Sequence, residues 1–444
     1  MPKPENAVPR HWYRRSAFLF LAAAVLAFFM VLVNHSWSKF YTGNWDGYSE
    51  LLAVGRITQV QQGQSAPGDF LGIYTAEWGD GEGYTILKEN PAQNPADYKS
   101  YAHQSGAQGT LEGALAKLLC RLPISGEMRL NVLYFANAWL FYTLGGFLCL
   151  RLAGHFGPGA GLGALAAVWF APWLTMGAKN LYWVLWTWLL PCCAGLALAK
   201  CCRQKGKAGA GALLGVFAAV LVRCLCGFEY VTTVLILCEA PLAVCWLEET
   251  KRRKTWFWAM LQTGIAALAG ALAALLVWLW QCSCYYGSWA RAWQEVSGIA
   301  LARAGAGTVE GDAASAATGQ VPLGKALLAF VQDPGAQLKF GPIAVPVLPM
   351  LLLGALLALA VLLLALKHKD CPQLRGLCGL WVLGTVAPLS WMVLAKGHAY
   401  VHMHLTPMLW SFAALPCTLA LLGWWGEKIM KEIWGCFGDY KIEK

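Results

Sequence analysis

Charge is scarce in this sequence. Of its 444 residues, 13% are Asp, Glu, Lys or Arg, while 58% are hydrophobic. A soluble domain carries about 25% charged residues, so this composition excludes an ordinary set of soluble domains. Apolar runs of about twenty residues recur along the chain, and that is the length that crosses the ~30 Å hydrocarbon core of a bilayer. The sequence therefore predicts an all-α, polytopic membrane helix bundle, with residues 1–444 forming a single membrane domain.

Several motifs of common catalytic and binding sites are also missing. The chain has no Gly-rich phosphate loop, no nucleophile elbow, no H-E-x-x-H motif and no C-x-x-C pair at zinc spacing. Most of its 16 Cys lie inside apolar runs, where they behave as small hydrophobes. The net charge of +10 does not indicate nucleic-acid binding, because the basic residues form short clusters between apolar runs.

The spacing of the apolar runs predicts about ten transmembrane helices. Lys and Arg gather in alternate connections, such as 200–207 and 251–254, which the positive-inside rule assigns to the cytoplasm. We therefore expect a multi-pass protein of a bacterial plasma membrane with both termini in the cytoplasm and two long outer loops, 34–128 and 281–341. The predicted spans are 16–33, 130–152, 160–178, 181–200, 208–226, 229–247, 256–280, 342–366, 377–395 and 404–424.

The first outer loop opens with two carboxylates, Asp46 and Glu50. We predict a short helix that begins at an Asn44 N-cap and runs to about Gln59, and a second one, interfacial, at about 111–122. On the first helix the two acids would lie one turn apart on the same face. A solvated helix face would also explain this spacing, and a catalytic pair at the membrane surface is the functional alternative.

Other polar residues gather on the same predicted outer side. Ionisable residues at a membrane boundary are costly and are candidates for function. Arg223 and Glu229 would alternatively pair with each other across a turn, and His398 and His402, at i and i+4, would alternatively bind a metal or serve a structural role. The predicted substrate- or phosphate-binding residues are Arg223, Glu229, Lys396, His398, His402, His404, Tyr101, His103, Gln104 and Gln108.

The arrangement of a first span, a long outer loop opening with an Asp/Glu pair, and a multi-span bundle resembles the GT-C class of membrane glycosyltransferases. This class includes the dolichyl- and undecaprenyl-phosphate-dependent mannosyl- and aminoarabinose-transferases. The stretches Y-A-H-Q-S-G-A-Q-G at 101–109 and A-K-G-H-A-Y-V-H-M-H at 395–404 resemble segments of uncharacterised bacterial membrane proteins of this type. The acids here are spaced D-x-x-x-E, whereas adjacent Asp-Glu or D-x-D is common in that class.

The resemblance implies a polyprenyl-phosphate-linked sugar as the donor, a glycan, lipid or protein as the acceptor, and transfer at the outer face. Asp46 is then the first choice for the base that takes the acceptor proton, with Glu50 orienting a sugar hydroxyl or Asp46 itself. Arg223, Lys396 and His398 would bind the departing phosphate. Arg291 and Arg303 would assist at the lipid head group. A divalent metal ion is a candidate cofactor.

Two other classes of protein compete with this interpretation. A secondary transporter or lipid-linked-glycan flippase would be expected to contain repeated halves and ionisable residues near the bilayer midplane, whereas here the charges gather at one face. A non-enzymatic membrane scaffold would leave the one-sided polar cluster unexplained. Turnover of a donor by the purified protein separates the enzyme from both.

Overall fold

Most of the chain is helical. The computed structural model describes residues 11–37, 46–74, 82–89, 97–102, 109–306, 320–332, 336–340, 343–367 and 371–439. The helices are α1 (His11–Trp37), α2 (Gly47–Gln61), α3 (Glu82–Glu89), α4 (Thr110–Leu119), α5 (Gly126–Phe156), α6 (Pro158–Phe170), α7 (Pro172–Gly177), α8 (Trp186–Lys205), α9 (Ala210–Leu225), α10 (Val231–Glu248), α11 (Arg253–Tyr286), α12 (Trp289–Ala304), α13 (Leu323–Gln332), α14 (Val347–Lys367), α15 (Pro372–Leu394), α16 (Lys396–Val401), α17 (Thr406–Leu409) and α18 (Leu415–Asp439).

Two small antiparallel sheets interrupt this helical fold. In the first outer loop β1 (Gly72–Ile73) pairs with β2 (Lys99–Ser100), and at the end of the second β3 (Ala336–Phe340) pairs with β4 (Ile343–Pro346). Both sheets have two strands. The first sheet and β3 lie in the segments predicted as outer loops, whereas β4 occupies the first residues of the predicted span 342–366, which becomes helical at Val347.

Among the described residues, six helical segments are long and apolar enough to cross a membrane, by length and composition. This finding confirms a multi-pass helical membrane protein. The six segments are Gly126–Phe156, Val231–Glu248, Thr250–Tyr286, Val347–Lys367, Pro372–Leu394 and Met403–Glu432. Shorter apolar helices occupy three further predicted spans: Ser16–Leu32, Pro158–Phe170 and Ala210–Leu225.

Two further predicted spans have different boundaries in the structure. The run 160–178 is divided between α6 and α7 at Ala171, because Pro172 lacks the N–H that a continuous helix would need. The run predicted at 181–200 becomes helical only at Trp186. The side chain of Asn180 accepts hydrogen bonds from the backbone N–H groups of Tyr182 and Trp183, at 2.9 and 3.0 Å, and this local bonding competes with helix formation.

Close helix packing in the bundle depends on small residues. A Cβ atom on Gly163 would lie 1.9 Å from the carbonyl oxygen of Leu419, and one on Gly423 would lie 2.0 Å from that of Gly159. Gly159 and Gly163 stand four residues apart, so α6 presents a strip without side chains to α18. Such strips let two membrane helices approach closely and gain van der Waals contact.

The helix of the first outer loop begins at a different residue from the one predicted. Asp46 is the N-cap of α2, and its Oδ1 accepts a hydrogen bond from the N–H of Ser49 at 3.4 Å. Asn44, the predicted cap, lies outside the described residues. The predicted second helix is α4, whose buried side packs in the loop while Leu115 and Leu118 are exposed.

The bundle has two chemically different ends. At one end lie termini of α5, α8, α10, α11 and α18, and the segments around them are rich in Lys and Arg. There His155 contacts Glu248, and Arg203 contacts Glu249. We call this the basic end. The other end carries α2, α12, α16 and the turns before α8 and α10, and we call it the site end. Successive connections between the long helices lie at the basic end and the site end in turn, as the distribution of Lys and Arg predicts.

Candidate functional site

Asp46 lies at the site end, where two different elements hold it in place. Its backbone is left-handed (φ 52°, ψ 51°), a conformation that Asp tolerates better than most residues. Besides capping α2 through Oδ1, it accepts a 2.8 Å hydrogen bond at Oδ2 from Nε1 of Trp183. The carboxylate is half-buried. A helix N-terminus also favours negative charge, so this group is fixed as an oriented, accessible carboxylate.

Glu50 lies one turn further along α2 and is buried, with 2% exposure. Its Oε1 accepts from the backbone N–H of Leu181 at 3.0 Å, and its Oε2 accepts from the hydroxyl of Tyr134 at 3.1 Å. Glu50 thereby joins the first outer loop to α5 and to the turn before α8. Of the two alternatives for this pair, a solvated helix face does not apply to Glu50, and its contacts are those of a positioning residue beneath Asp46.

A cluster of aromatic rings adjoins Asp46 through Trp183. Trp183 and Tyr230 stack with their ring centroids 5.4 Å apart and their planes 22° from parallel. Trp188 and Trp391 contact Tyr230 at 5.1 and 5.3 Å. Offset aromatic stacking adds to the stability that burial provides, so these rings form a firm wall.

The backbone beside this wall is unusual at two positions. Val184 (φ 45°) and Tyr230 (φ 60°) are both left-handed, although neither is glycine. A β-branched residue such as Val is rarely found there, and strain of this kind clusters at functional sites. The two turns that precede α8 and α10 are thus held in costly conformations by the structure around them.

Arg303 and Glu229 form a buried ion pair next to these turns. Nη1 of Arg303 lies 3.2 Å from Oε1 of Glu229, and the two side chains are 12% and 3% exposed. Arg303 comes from the end of α12 in the second outer loop. The other carboxylate oxygen of Glu229, Oε2, is buried with no hydrogen-bond partner among the described residues.

Arg223 contacts Glu229 in a different way from the predicted side-chain pair. Its Nη2 donates to the backbone carbonyl of Glu229 at 2.6 Å, while the carboxylate of Glu229 contacts Arg303. The guanidinium of Arg223 also lies 5.1 Å from the centroid of the Trp188 ring, a cation–π contact. Its Nε is buried without a hydrogen-bond partner in the described part of the chain.

The histidine group adjoins the same site. The rings of His398 and His402 lie 4.6 Å apart, and that of His404, which is exposed, lies 5.7 Å from His402. Burial lowers the pKa of His398 well below its usual range, and the charges of Arg303 and His402 lower it further. His398 is therefore neutral at neutral pH, and its buried Nδ1 has no hydrogen-bond partner among the described residues.

Electrostatic interactions link several of these groups to one another. Burial raises the pKa of Tyr182 well above its usual range, and the charges of Glu229, Tyr101 and Asp46 raise it further while that of Arg303 opposes them. Burial also raises the pKa of Tyr230 well above its usual range, and the charges of Glu229 and Asp46 raise it further. We define the outer site as Asp46, Tyr101, Tyr182, Trp183, Arg223, Glu229, Tyr230, Arg303 and His398.

Some of the predicted residues lie beside the outer site, and others lie outside the described residues. Nζ of Lys396 donates to the carbonyl oxygen of Val321 at 2.8 Å, which ties α16 to the second outer loop. Arg291, predicted for the lipid head group, pairs with Glu295 at 2.5 Å on α12. The predicted binding residues His103, Gln104 and Gln108 lie outside the described residues.

A second buried polar group, which was not predicted from the sequence, lies within the first outer loop. Arg56 pairs with Asp69 at 2.9 Å and donates to Gln59, although Arg56 itself is 2% exposed. Oε2 of Glu112 accepts from the N–H of Gly109 at 3.0 Å. Burial raises the pKa of Glu112 to about 7, although its backbone hydrogen bonds and the charges of Arg56 and Arg223 act in the opposite direction.

Signals for the other missed residues of the outer site were present but weak. Tyr182 and Trp183 follow the tight turn at 178–180, and Tyr230 directly follows Glu229. In a chain with 23 Trp and 15 Tyr, aromatic residues near a membrane boundary are expected in any case, so these stood out little.

The alternative in which His398 and His402 bind a metal ion requires at least one further ligand nearby. Among the described residues, no three His, Cys, Asp or Glu side chains converge closely enough to hold a metal ion. No protein-family model, curated protein or solved structure matches the chain. Any assignment of its chemistry therefore rests on the residues of this chain.

Proposed function

We propose that the protein is an integral-membrane glycosyltransferase of the GT-C class, which moves a sugar from a polyprenyl-phosphate donor to an acceptor. The observation that carries this proposal is the half-buried Asp46 carboxylate, held by Trp183, at the same end of the bundle as buried Arg223 and largely buried Arg303. A base and a cationic group at one membrane end are the two requirements of such a transfer.

The proposed reaction is an inverting displacement at the anomeric carbon. The acceptor oxygen attacks the anomeric carbon, and the bond from that carbon to the phosphate oxygen breaks, so the electron pair leaves with the polyprenyl phosphate. The acceptor proton passes to Asp46. Arg303 and Arg223 stabilise the charge that develops on the phosphate, because buried cations act strongly in a low-dielectric site.

The sugar itself would bind against the aromatic wall. The stacked rings of Trp183 and Tyr230 would form the wall next to the carboxylate, and Glu229 and His398 offer buried polar atoms for sugar hydroxyls. A polar group that is buried without a partner is costly, so a ligand that supplies a hydrogen bond there gains affinity and specificity. The neutral state of His398 lets it donate or accept such a bond without adding positive charge.

The sidedness of the site is part of the same proposal. We infer ten crossings, counting α1, α6 with α7, α8 and α9 together with the six longer segments, since spans of 17–25 residues are usual. The basic end then faces the cytoplasm with both termini, and the site end faces outward. Labelling of Ser65→Cys and Arg252→Cys variants from opposite sides of sealed vesicles tests this arrangement, and labelling from one side overturns it.

Turnover of a panel of polyprenyl-phosphate sugars by the purified protein tests the function. We expect Asp46→Asn to lower turnover at least about 100-fold, because a positioned base contributes ~10²–10⁴ in rate. Asp97→Asn, an exposed acid of the same loop, is the matched control. Equal activity of wild type and Asp46→Asn would remove Asp46 as the base.

Two further measurements address the cofactor and the rival function. Loss of turnover with EDTA, restored by a divalent ion, would show that a metal takes part. Vesicles that move a lipid-linked sugar or a solute across the membrane, without turning over a donor, would favour the transporter or flippase instead.

A further inference from the structure

A second chemically distinctive space lies inside the bundle, toward the basic end. It is a cavity of about 450 Å³ between α5, α6, α8, α10, α15 and the start of α18. Its walls are almost entirely apolar, with Leu152, Leu196, Leu237 and Phe412 among the lining side chains. Trp188 closes the cavity toward the outer site. A space of this size and polarity is typical of sites for apolar ligands.

The mouth of the cavity is basic. Arg151, Lys200 and Arg203 line it at one end, next to His155. These residues come from the C-terminal parts of α5 and α8, which both end at the basic end of the bundle.

The described carboxylates near this mouth contact other groups. Both oxygens of Glu248 are within 3.0 Å of Nε2 of His155, and Glu249 contacts Arg203, Arg252 and Nε1 of Trp256. Positive charge therefore exceeds negative charge among the described residues around the opening.

We infer that this cavity binds one anionic phospholipid of the membrane leaflet at the basic end. An acyl chain lies between the helices against Leu196 and Leu237, and the phosphate lies against Arg151 and Lys200. Basic pockets between transmembrane helices are suited to anionic head groups, and their attraction is worth a measurable amount for each Lys or Arg. The apolar wall disfavours free phosphate, and the positive mouth favours a phosphate-bearing lipid with net negative charge over a zwitterionic one.

This site is separate from the outer site and does not depend on glycosyl transfer. Trp188 joins the two, since its ring borders the cavity and also contacts the Arg223 guanidinium. A chain in the cavity would therefore support the underside of the outer site while its head group stays at the opposite end of the bundle.

Native mass spectrometry of the full-length protein with equimolar phosphatidylglycerol and phosphatidylcholine of matched chains tests the inference. We expect phosphatidylglycerol to be retained preferentially. Arg151→Gln and Lys200→Gln should each weaken its binding about fivefold, the loss that one juxtamembrane charge implies. Lys254→Gln, which removes an exposed cation of the same end that does not line the cavity, should leave binding unchanged.

A variant of the wall distinguishes the cavity from adhesion to a basic surface. Ala240→Leu adds volume at a lining position without changing charge, and it should reduce retention of phosphatidylglycerol while the protein still unfolds cooperatively. Equal retention of the two lipids, or binding unchanged in Arg151→Gln, Lys200→Gln and Ala240→Leu, would overturn the inference. Displacement of phosphatidylglycerol by equimolar polyprenyl phosphate would also overturn it, because the cavity would then belong to an isoprenoid chain.

Discussion

Nε1 of Trp183 donates a 2.8 Å hydrogen bond to Oδ2 of Asp46, joining two residues 137 positions apart. The same indole stacks on Tyr230, so one side chain both orients the carboxylate and forms the aromatic wall beside it. Asn180 shapes the turn that presents this indole, since it accepts from the N–H of Trp183. The carboxylate is thus placed by a turn between membrane helices and by the start of α2 together.

Removing the indole donor should impair the proposed reaction without emptying the aromatic wall. Trp183→Phe keeps a ring to stack on Tyr230 but loses the N–H that contacts Asp46. A hydrogen bond to a charged group contributes about 1.5–3 kcal/mol, so we expect turnover to fall roughly 10- to 100-fold. Donor turnover measures this effect. Trp289→Phe, an exposed Trp at the start of α12, is the control, and equal loss in both variants would count against a specific role.

Substitution of Glu50 should affect stability more than substitution of Asp46. Glu50→Gln leaves one acceptor oxygen where two are used, and it turns an N–H₂ group toward either Leu181 N–H or the Tyr134 hydroxyl. An unsatisfied buried polar group costs about 1–3 kcal/mol, whereas Asn replaces Asp well as an N-cap. The thermal midpoint in detergent should therefore fall clearly for Glu50→Gln and little for Asp46→Asn. The reverse order would show that Glu50 is not the structural member of the pair.

The Glu229–Arg303 pair should show strong energetic coupling. Glu229→Gln or Arg303→Gln alone leaves a buried charge without its partner, which costs about 3–5 kcal/mol. The double variant removes both charges and should be less destabilised than the sum of the single variants. Chemical unfolding of the four proteins measures the coupling. Arg291→Gln with Glu295→Gln, a pair on the same helix α12 whose Arg291 side chain is 54% exposed, should show much less coupling. Additive losses at Glu229 and Arg303 would contradict the pair.

Glu112 should make the protein less stable as the pH rises. Its pKa is raised from 4.5 to about 7 in the folded protein, so between these values the folded state binds more protons than the unfolded state. Stability is then lost as the pH rises from 4.5 to 7, by about 3 kcal/mol in all. Glu112→Gln keeps an oxygen for the N–H of Gly109 and should stabilise the protein relative to wild type at pH 8. At pH 5 the difference should be much smaller, and thermal midpoints at both values check it. A gain independent of pH would exclude titration of Glu112 as the cause.

The sequence by itself determined the class of the protein and the approximate places of its membrane helices. Apolar runs of spanning length carry that information locally, so α5, α10, α11, α14 and α15 begin within about five residues of the predicted spans. The order of Lys and Arg along the chain likewise indicated which helix ends lie together, because each span reverses direction. The proximity of His398 and His402 followed from local i, i+4 spacing in the same way.

Only the tertiary structure decided which side chains meet. Glu229 contacts Arg303 rather than the side chain of nearby Arg223, and Glu50 turns inward to Leu181 and Tyr134. Local spacing defines neighbours one helical turn apart, whereas these contacts join residues dozens of positions apart or more. Their distances are set by how the helices pack and by the strained turns at Val184 and Tyr230, and neither is encoded in any short stretch of sequence.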